Sequence, residues 1–429
     1  MNKEILRLAI PNILSNISVP LLSTVDTALM GRLSEMHIGA VGLGSMIFNF
    51  IYWNFGFLRM GTTGITAQYF GEKKPIQIMN TLARALFISL ILAMLVMVLQ
   101  IPFLKLSQSL LNVRGDQTQL LADYFYVRIW AAPATLGLYA MLGWFFGMQN
   151  AIYPLIITVL INLINISLSW YFVAHLEWNV AGVAWGTVFA QYVGLTVAII
   201  LFWSSYKNYF NEFSRKSMLQ LDELKKFLLI NRDIFIRTVL LTFSFGFFYS
   251  VSSSQGSMIL AANIILLQFL NWMSFGIDGF AYASESLIGK YYGQKNQSKL
   301  KEALKLSFIW AFILALFYSL VYWIFGEELI ALFTSKTDVQ TATLPFLFWV
   351  IILPIASFAC YVWDGIYIGL TASKTMRNSM LLAIVVYMLA YQFLKPYGND
   401  GLWLSLFVFL ISRGIIQTLY YWKYKMNLE

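Results

Sequence analysis

Four carboxylates stand in stretches that are otherwise apolar: Asp26, Asp278, Glu285 and Asp364. Four arginines, Arg59, Arg128, Arg237 and Arg413, share that setting. A charge near the centre of a bilayer costs roughly 2.5–3.5 kcal/mol on insertion scales, so it persists when it is paired or faces water. Burial away from water favours the neutral form of a carboxyl, which suits it to taking up and releasing a proton. The chemistry these residues offer is therefore proton exchange, cation binding, or an ion pair that opens and closes.

Asp26 is the first candidate for coupling. It follows Pro11 by 15 residues, or about 22 Å of helix, which places it in the outer half of a bilayer. Pro11 and Pro20 interrupt helix hydrogen bonding, so the segment that carries Asp26 can bend. The plainer alternative is a structural acid bonded to a neighbouring hydroxyl. Asp278 and Arg59 fall at similar depth in the two halves of the chain and are expected to pair as a gate. Glu285 falls at the depth of Arg237, a second expected pair. Asp364 is expected to ligate a cation or to bond backbone. Asn162, Asn165 and Ser169 recur on one helical face, a pattern that either lines a wet cavity or joins helices.

The elements that hold these residues follow from composition. The chain has 429 residues, of which 59% are hydrophobic, 17% aromatic and 11% charged. A soluble protein carries about a quarter charged residues, so the soluble classes are excluded and an integral membrane protein is indicated. Cys360 has no second cysteine to pair with. His37 and His175 are the only histidines, and neither an HExxH helix nor a GxxxxGK phosphate loop occurs. A membrane-embedded enzyme or an ATP-driven pump is thus poorly supported. No catalytic residue, resident metal or cofactor is expected.

Apolar runs of about 20 residues suffice to cross the hydrocarbon core. Twelve are legible, near 5–31, 38–70, 80–103, 117–148, 152–174, 181–205, 230–253, 257–289, 300–325, 339–370, 376–395 and 399–422. The first is read as a span, not as a removed signal peptide. If the N-terminus is cytoplasmic, 20 of the 29 basic residues lie on the inner side, while Arg32, Lys105, Arg114, Lys336 and Lys395 lie outside. That bias sets both termini in the cytoplasm. It also accounts for the net charge of +9 without a nucleic-acid partner.

The polar stretch 206–229 divides the chain, and the two halves echo each other. Phe55-Gly56 returns as Phe275-Gly276 at an offset of 220, and Gln68 to Lys73 return as Lys290 to Lys295 at 222. Asp116, Pro133 and Gly147 return as Asp338, Pro354 and Gly369. The expected fold is an all-α membrane protein of twelve transmembrane helices in two pseudosymmetric six-helix lobes. The N-lobe is 1–205, the inter-lobe linker 206–229 and the C-lobe 230–429. Six spans per half make the repeats parallel, related by an axis along the membrane normal, as in transporters with a central site between lobes.

Several segments resemble the multidrug and toxic compound extrusion (MATE) family. The opening Leu8-Ala-Ile-Pro11-Asn, continued by Pro20 to Gly31 around Asp26, is similar to the family's first span. Phe57 to Gln68, Asn231-Arg232-Asp233 with Arg237, Asp278 to Glu285, Asp364 to Gly369 and Met376 to Met380 resemble its DinF-like branch. The resemblance implies a monomeric inner-membrane antiporter that expels amphipathic, often cationic compounds in exchange for protons or sodium ions. It also implies that Asp26 is the coupling acid and Pro11 the bending proline. The family's Asn and Asp of the fifth span fall on Asn165 and Ser169, so one carboxylate is missing. That loss favours protons, while the C-lobe acids keep sodium open. A lipid-linked oligosaccharide flippase of the same superfamily is the alternative, with Arg59, Arg128 and Arg237 consistent with a basic cavity. A channel or receptor explains the repeat less well.

Overall fold

In a bilayer the backbone must satisfy its own hydrogen bonds, and a helix does so within one segment. The computed structural model follows that rule. It describes the backbone of residues 1–30, 35–111 and 113–426, and the side chains of 1–18, 36–111 and 113–423. Among these residues there is no strand.

The helices of the first half are α1 (Asn2–Met30), α2 (Glu35–Phe55), α3 (Phe57–Glu72), α4 (Pro75–Val98), α5 (Gln100–Leu110), α6 (Gln117–Arg128), α7 (Ala132–Gly147), α8 (Ile152–Ala174) and α9 (Asn179–Phe210). A short α10 (Arg215–Met218) leads to the second half: α11 (Leu221–Ser254), α12 (Ser257–Gly293), α13 (Gln297–Phe333), α14 (Thr337–Thr343), α15 (Leu347–Gly369), α16 (Ser373–Leu394) and α17 (Gly398–Met426). Ten stretches among the described residues are long and apolar enough to cross a membrane, the last of them, Ser373–Lys423, holding both α16 and α17. Twelve spans remain the expectation from the sequence.

The chain divides into two compact units, Leu14–Leu228 and Met1–Ile13 with Leu229–Glu429. We call them the N-half and C-half units. Helix α1 begins in the C-half unit and continues in the N-half unit, and α11 does the reverse at Leu228. The expected boundaries at 205 and 230 did not anticipate this exchange of first turns.

Each exchanged turn is tied down by a tyrosine at the same place in the repeat. Tyr291 donates to Glu4 Oε2 at 2.7 Å, and Lys290 bonds the same oxygen at 3.1 Å. In the other unit Tyr69 donates to Glu223 Oε2 at 2.6 Å. Lysines lie over both rings, Lys226 at 5.2 Å from Tyr69 and Lys290 at 4.8 Å from Tyr291. The segment 206–229 is likewise held: the buried Arg84 donates to the Ser217 carbonyl at 2.6 Å and to that of Met218 at 2.9 Å, and Asn80 accepts the Ser214 N–H at 3.3 Å.

The repeat is sharper in three dimensions than in sequence. Gly143 of α7 meets the Arg59 carbonyl of α3, and Gly365 of α15 meets the Ala281 carbonyl of α12; a Cβ on either glycine would collide with that backbone. Gly147 and Gly369 make the next contact along each helix, against Thr63 and Glu285. Small residues four apart let helix backbones approach closely in a membrane. All these pairs are separated by 222 residues. So are the left-handed Lys73 and Lys295, and Gln149 and Thr371.

Adding a methyl against a fixed backbone overpacks the contact at about 1–3 kcal/mol. Gly143→Ala and Gly365→Ala should each lower stability by that amount in detergent unfolding. Gly246→Ala in α11, where nothing lies within 4 Å, should be neutral or gain up to about 1 kcal/mol. Equal effects at all three sites would remove the glycine contacts as the scaffold.

Candidate functional site

In the N-half unit the polar face of α8 divides between two neighbours. Asn162 donates to Ser18 of α1, to Oγ at 2.8 Å and to the carbonyl at 3.2 Å. One turn later Asn165 donates to Thr187 Oγ1 of α9 at 2.8 Å, and Thr187 donates on to the Val183 carbonyl at 3.1 Å. Asn165 and Ser169 are fully buried. The Ser169 hydroxyl packs beside Gly186, whose missing side chain leaves the space it occupies. Neither the Asn165 side-chain carbonyl nor the Ser169 hydroxyl has a hydrogen-bond partner among the described residues. A buried polar oxygen left unpaired costs about 1–3 kcal/mol, so this face presents two oxygens with capacity to spare. Thr187 was not read from sequence. Its only signal was a hydroxyl beside a glycine in an apolar helix.

Asp26 and Pro20 belong to α1, whose backbone is helical through Pro11 and Pro20. The side chains of Asp26 and Pro20 lie outside the described residues.

The C-half unit holds a different arrangement. Arg237 of α11 and Arg413 of α17 both donate to Asp364 Oδ2 on α15. Gln417 donates to Oδ1 at 2.7 Å. All four side chains are buried. The same α15–α17 seam is closed by Tyr367 donating to the Gln417 carbonyl at 2.6 Å and by Trp363 donating to Thr418 at 2.8 Å. Two guanidiniums on one carboxylate leave a positive excess.

This corrects two expectations. Arg237 meets Asp364, where the sequence reading set it opposite Glu285. Asp364 bonds guanidiniums and an amide, neither a cation ligand's role nor a backbone contact. Glu285 is buried in α12, with its carbonyl under Gly369. The structure places Arg59 and Asp278 in different units, with Arg59 5.8 Å from the Phe146 ring centroid. The glycine contacts also make Ala281 the repeat equivalent of Arg59.

Comparison with known proteins gives a consistent result. A family model described as MatE matches residues 11–171 and again 234–394, once in each half. The chain is 36% identical over 418 residues to the DNA damage-inducible protein F of Escherichia coli (strain K12), across 96% of this chain and 90% of that one. It superposes on a solved structure of MATE in the bent conformation with a TM-score of 0.89 at 21% identity, covering 98% of this chain and 94% of the other. An outward-facing multidrug resistance MATE family transporter of the MOP superfamily superposes with a TM-score of 0.88 at 21% identity, over 97% and 94%. The two structural likenesses show a shared fold.

Removing one partner of a buried charge cluster costs about 3–5 kcal/mol, because the charges left behind have lost their compensation. Asp364→Asn should therefore destabilise the protein by that order in detergent unfolding. Adding Arg237→Leu to it should restore part of the loss. An Asp364→Asn protein as stable as the parent would show that the cluster is not structural.

Proposed function

We propose a function from one settled premise: the chain belongs to the MatE family. It is a membrane transporter of the multidrug efflux class, not an enzyme. On that premise we read it as a secondary antiporter of the inner membrane that expels amphipathic organic compounds in exchange for protons. Both termini are cytoplasmic in this reading, and the monomer is the working unit.

The observation that carries the coupling assignment is the buried Asn165–Thr187 pair, with the Asn165 carbonyl oxygen and the nearby Ser169 hydroxyl both unpartnered. Asn162 fixes α8 to Ser18 of α1. Spans one and five run in the same sense in the expected topology. Eight residues beyond Ser18 comes Asp26, and seven beyond Asn162 comes Ser169, so the acid and the unpartnered hydroxyl share a depth. Asp26 takes a proton from outside in this reading, and at that depth the polar face of α8 offers the unpartnered oxygens of Asn165 and Ser169. Protons are favoured over sodium because Ser169 contributes no charge. In the C-half, Asp364 is already engaged by two guanidiniums and an amide.

Alternating access needs contacts that break in one state. The Tyr69–Glu223 and Tyr291–Glu4 bonds are suited to this, since each holds the first turns of one half's leading helix in the opposite unit. Proton and cargo must favour different states for their binding to be coupled.

In proteoliposomes, Asp26→Asn should reduce proton-driven efflux at least tenfold, and an imposed sodium gradient should drive little transport in the parent. Undiminished proton-driven efflux by Asp26→Asn would remove Asp26 from the mechanism. A second measurement addresses the tyrosines. Tyr69→Phe with Tyr291→Phe removes two hydrogen bonds to carboxylates, about 1.5 kcal/mol each. That should shift spin-label distances at the cytoplasmic ends toward the inward-open population. Unchanged distances would exclude the tyrosines from the gate.

A further inference from the structure

One face of α12 is polar where a span turned to lipid would be apolar. Gln268, Asn271, Ser274 and Asp278 follow one another at spacings of three, three and four residues, so they form a single stripe along the helix. Asn271 is exposed and the other three are partly exposed. The apolar run 257–289 is centred on residue 273, which sets Asn271 near mid-bilayer. Amides and a carboxylate turned toward acyl chains would lose their hydration without compensation. The stripe therefore faces water.

Two members of the stripe hold hydrogen-bonding capacity in reserve. Asn271 and Gln268, one turn apart, meet through their carboxamides at 3.5 Å, the outer limit of a hydrogen bond. It is the only hydrogen bond either side chain makes among the described residues. A carboxamide carries a carbonyl acceptor and two N–H donors. In either orientation of the pair, one carbonyl and one NH2 group are therefore left to bond something else. Ser274, by contrast, is already bonded to Tyr361 of α15 at 2.9 Å. Apolar side chains bracket the amides: Ile264, which is 40% exposed, stands one turn before Gln268, and the partly exposed Phe275 one turn after Asn271.

The equivalent face of α2 differs. Asn49 stands 222 residues before Asn271 and is likewise exposed. Its neighbours on that face are the exposed Met46, Phe50 and Trp53, with Met46 in the place of Gln268. An exposed asparagine at this place belongs to the shared scaffold. The paired amides are particular to the C-half unit.

We propose that Gln268 and Asn271 form a cargo-binding edge on α12, and that it takes uncharged amphiphiles carrying a lactam or primary carboxamide. Such a group sets a carbonyl and an N–H side by side. The carbonyl accepts from the free NH2, the N–H donates to the free carbonyl, and the apolar body rests on Ile264 and Phe275. A site that bonds a ligand N–H discriminates against an analogue lacking it, because the site's own carbonyl is then left unpaired. This names the substrate class of the proposed transporter and rests on that reading for its purpose.

The test is equilibrium binding to the purified protein in nanodiscs, with empty nanodiscs as the blank, using quinolin-2-one and coumarin. These probes share a bicyclic body and a carbonyl, and differ in an N–H against a ring oxygen. Quinolin-2-one should bind saturably and at least about fivefold tighter, the worth of one hydrogen bond. Gln268→Leu with Asn271→Leu should bring the two probes to equal affinity. Each single substitution should lower the preference at least about twofold, a readout that stands should the double variant fold poorly. Asn49→Leu should leave the preference as in the parent. Equal binding of the two probes by the parent, a lactam preference that survives the double substitution, or its loss in Asn49→Leu overturns the site. The assay needs no gradient, so its failure leaves standing the antiporter reading, which proton-driven efflux decides.

Discussion

Hydrocarbon offers no counter-charge and no water, so every charge within the spans must be answered by the protein or by something the protein binds. The rest of the structure depends on how that requirement is met. In the C-half unit it is met internally. Asp364 takes both Arg237 and Arg413, and Gln417 donates to its other oxygen. The cluster joins α11, α15 and α17, while Gln417 Oε1 and the Nε atoms of Arg237 and Arg413 have no hydrogen-bond partner among the described residues. In the N-half unit the oxygens of Asn165 and Ser169 keep unused capacity among the described residues. Unused capacity is where ligands and protons act.

Two halves with so similar a scaffold can differ so much in chemistry because scaffold and chemistry use different atoms. Gly143 on Arg59 and Gly365 on Ala281 are contacts to backbone carbonyls. They do not depend on whether the residue beneath is arginine or alanine. The repeat of 222 is therefore kept by the glycines and the left-handed turns at Lys73, Lys295, Gln149 and Thr371. Side chains on the same helices are free to diverge, and the site-forming residues are drawn from that set.

This division also explains what the sequence disclosed. The apolar spans and the repeat are carried by composition and by glycines, which are local and visible along the chain. The shortlist of buried charges was visible for the same reason. Their pairing was not. Asp364 joins residues 127 and 49 positions away, and depth alone made Glu285 an equally good partner for Arg237. Asn165 and Ser169 were found on a helical face, but the choice between glue and wet cavity needed their partners. Asn165 proved to join helices at one end, bonded to Thr187, with its other end unpartnered. The exchange of first turns left only a weak trace, the repeated Tyr69 and Tyr291, because nothing in a span's hydropathy says which half it leans on.

That exchange bears on where motion can begin. Helix α1 passes from one unit to the other at Ile13 and Leu14, and Pro11 lies within a turn of that point. A proline has no N–H to return to the carbonyl four residues earlier, so the bond to Arg7 is missing where the helix changes unit. Helix α11 changes unit at Leu228 and Leu229 inside Phe227-Leu-Leu-Ile230, with no proline nearby. Its backbone bonds run uninterrupted through the crossing. The two crossings are alike in topology and in their Tyr–Glu ties, yet unlike in stiffness. A rearrangement that releases both ties therefore meets less backbone resistance at α1, the helix that carries Asp26, than at α11, where the segment beyond the crossing leads to Arg237 and the closed charge cluster.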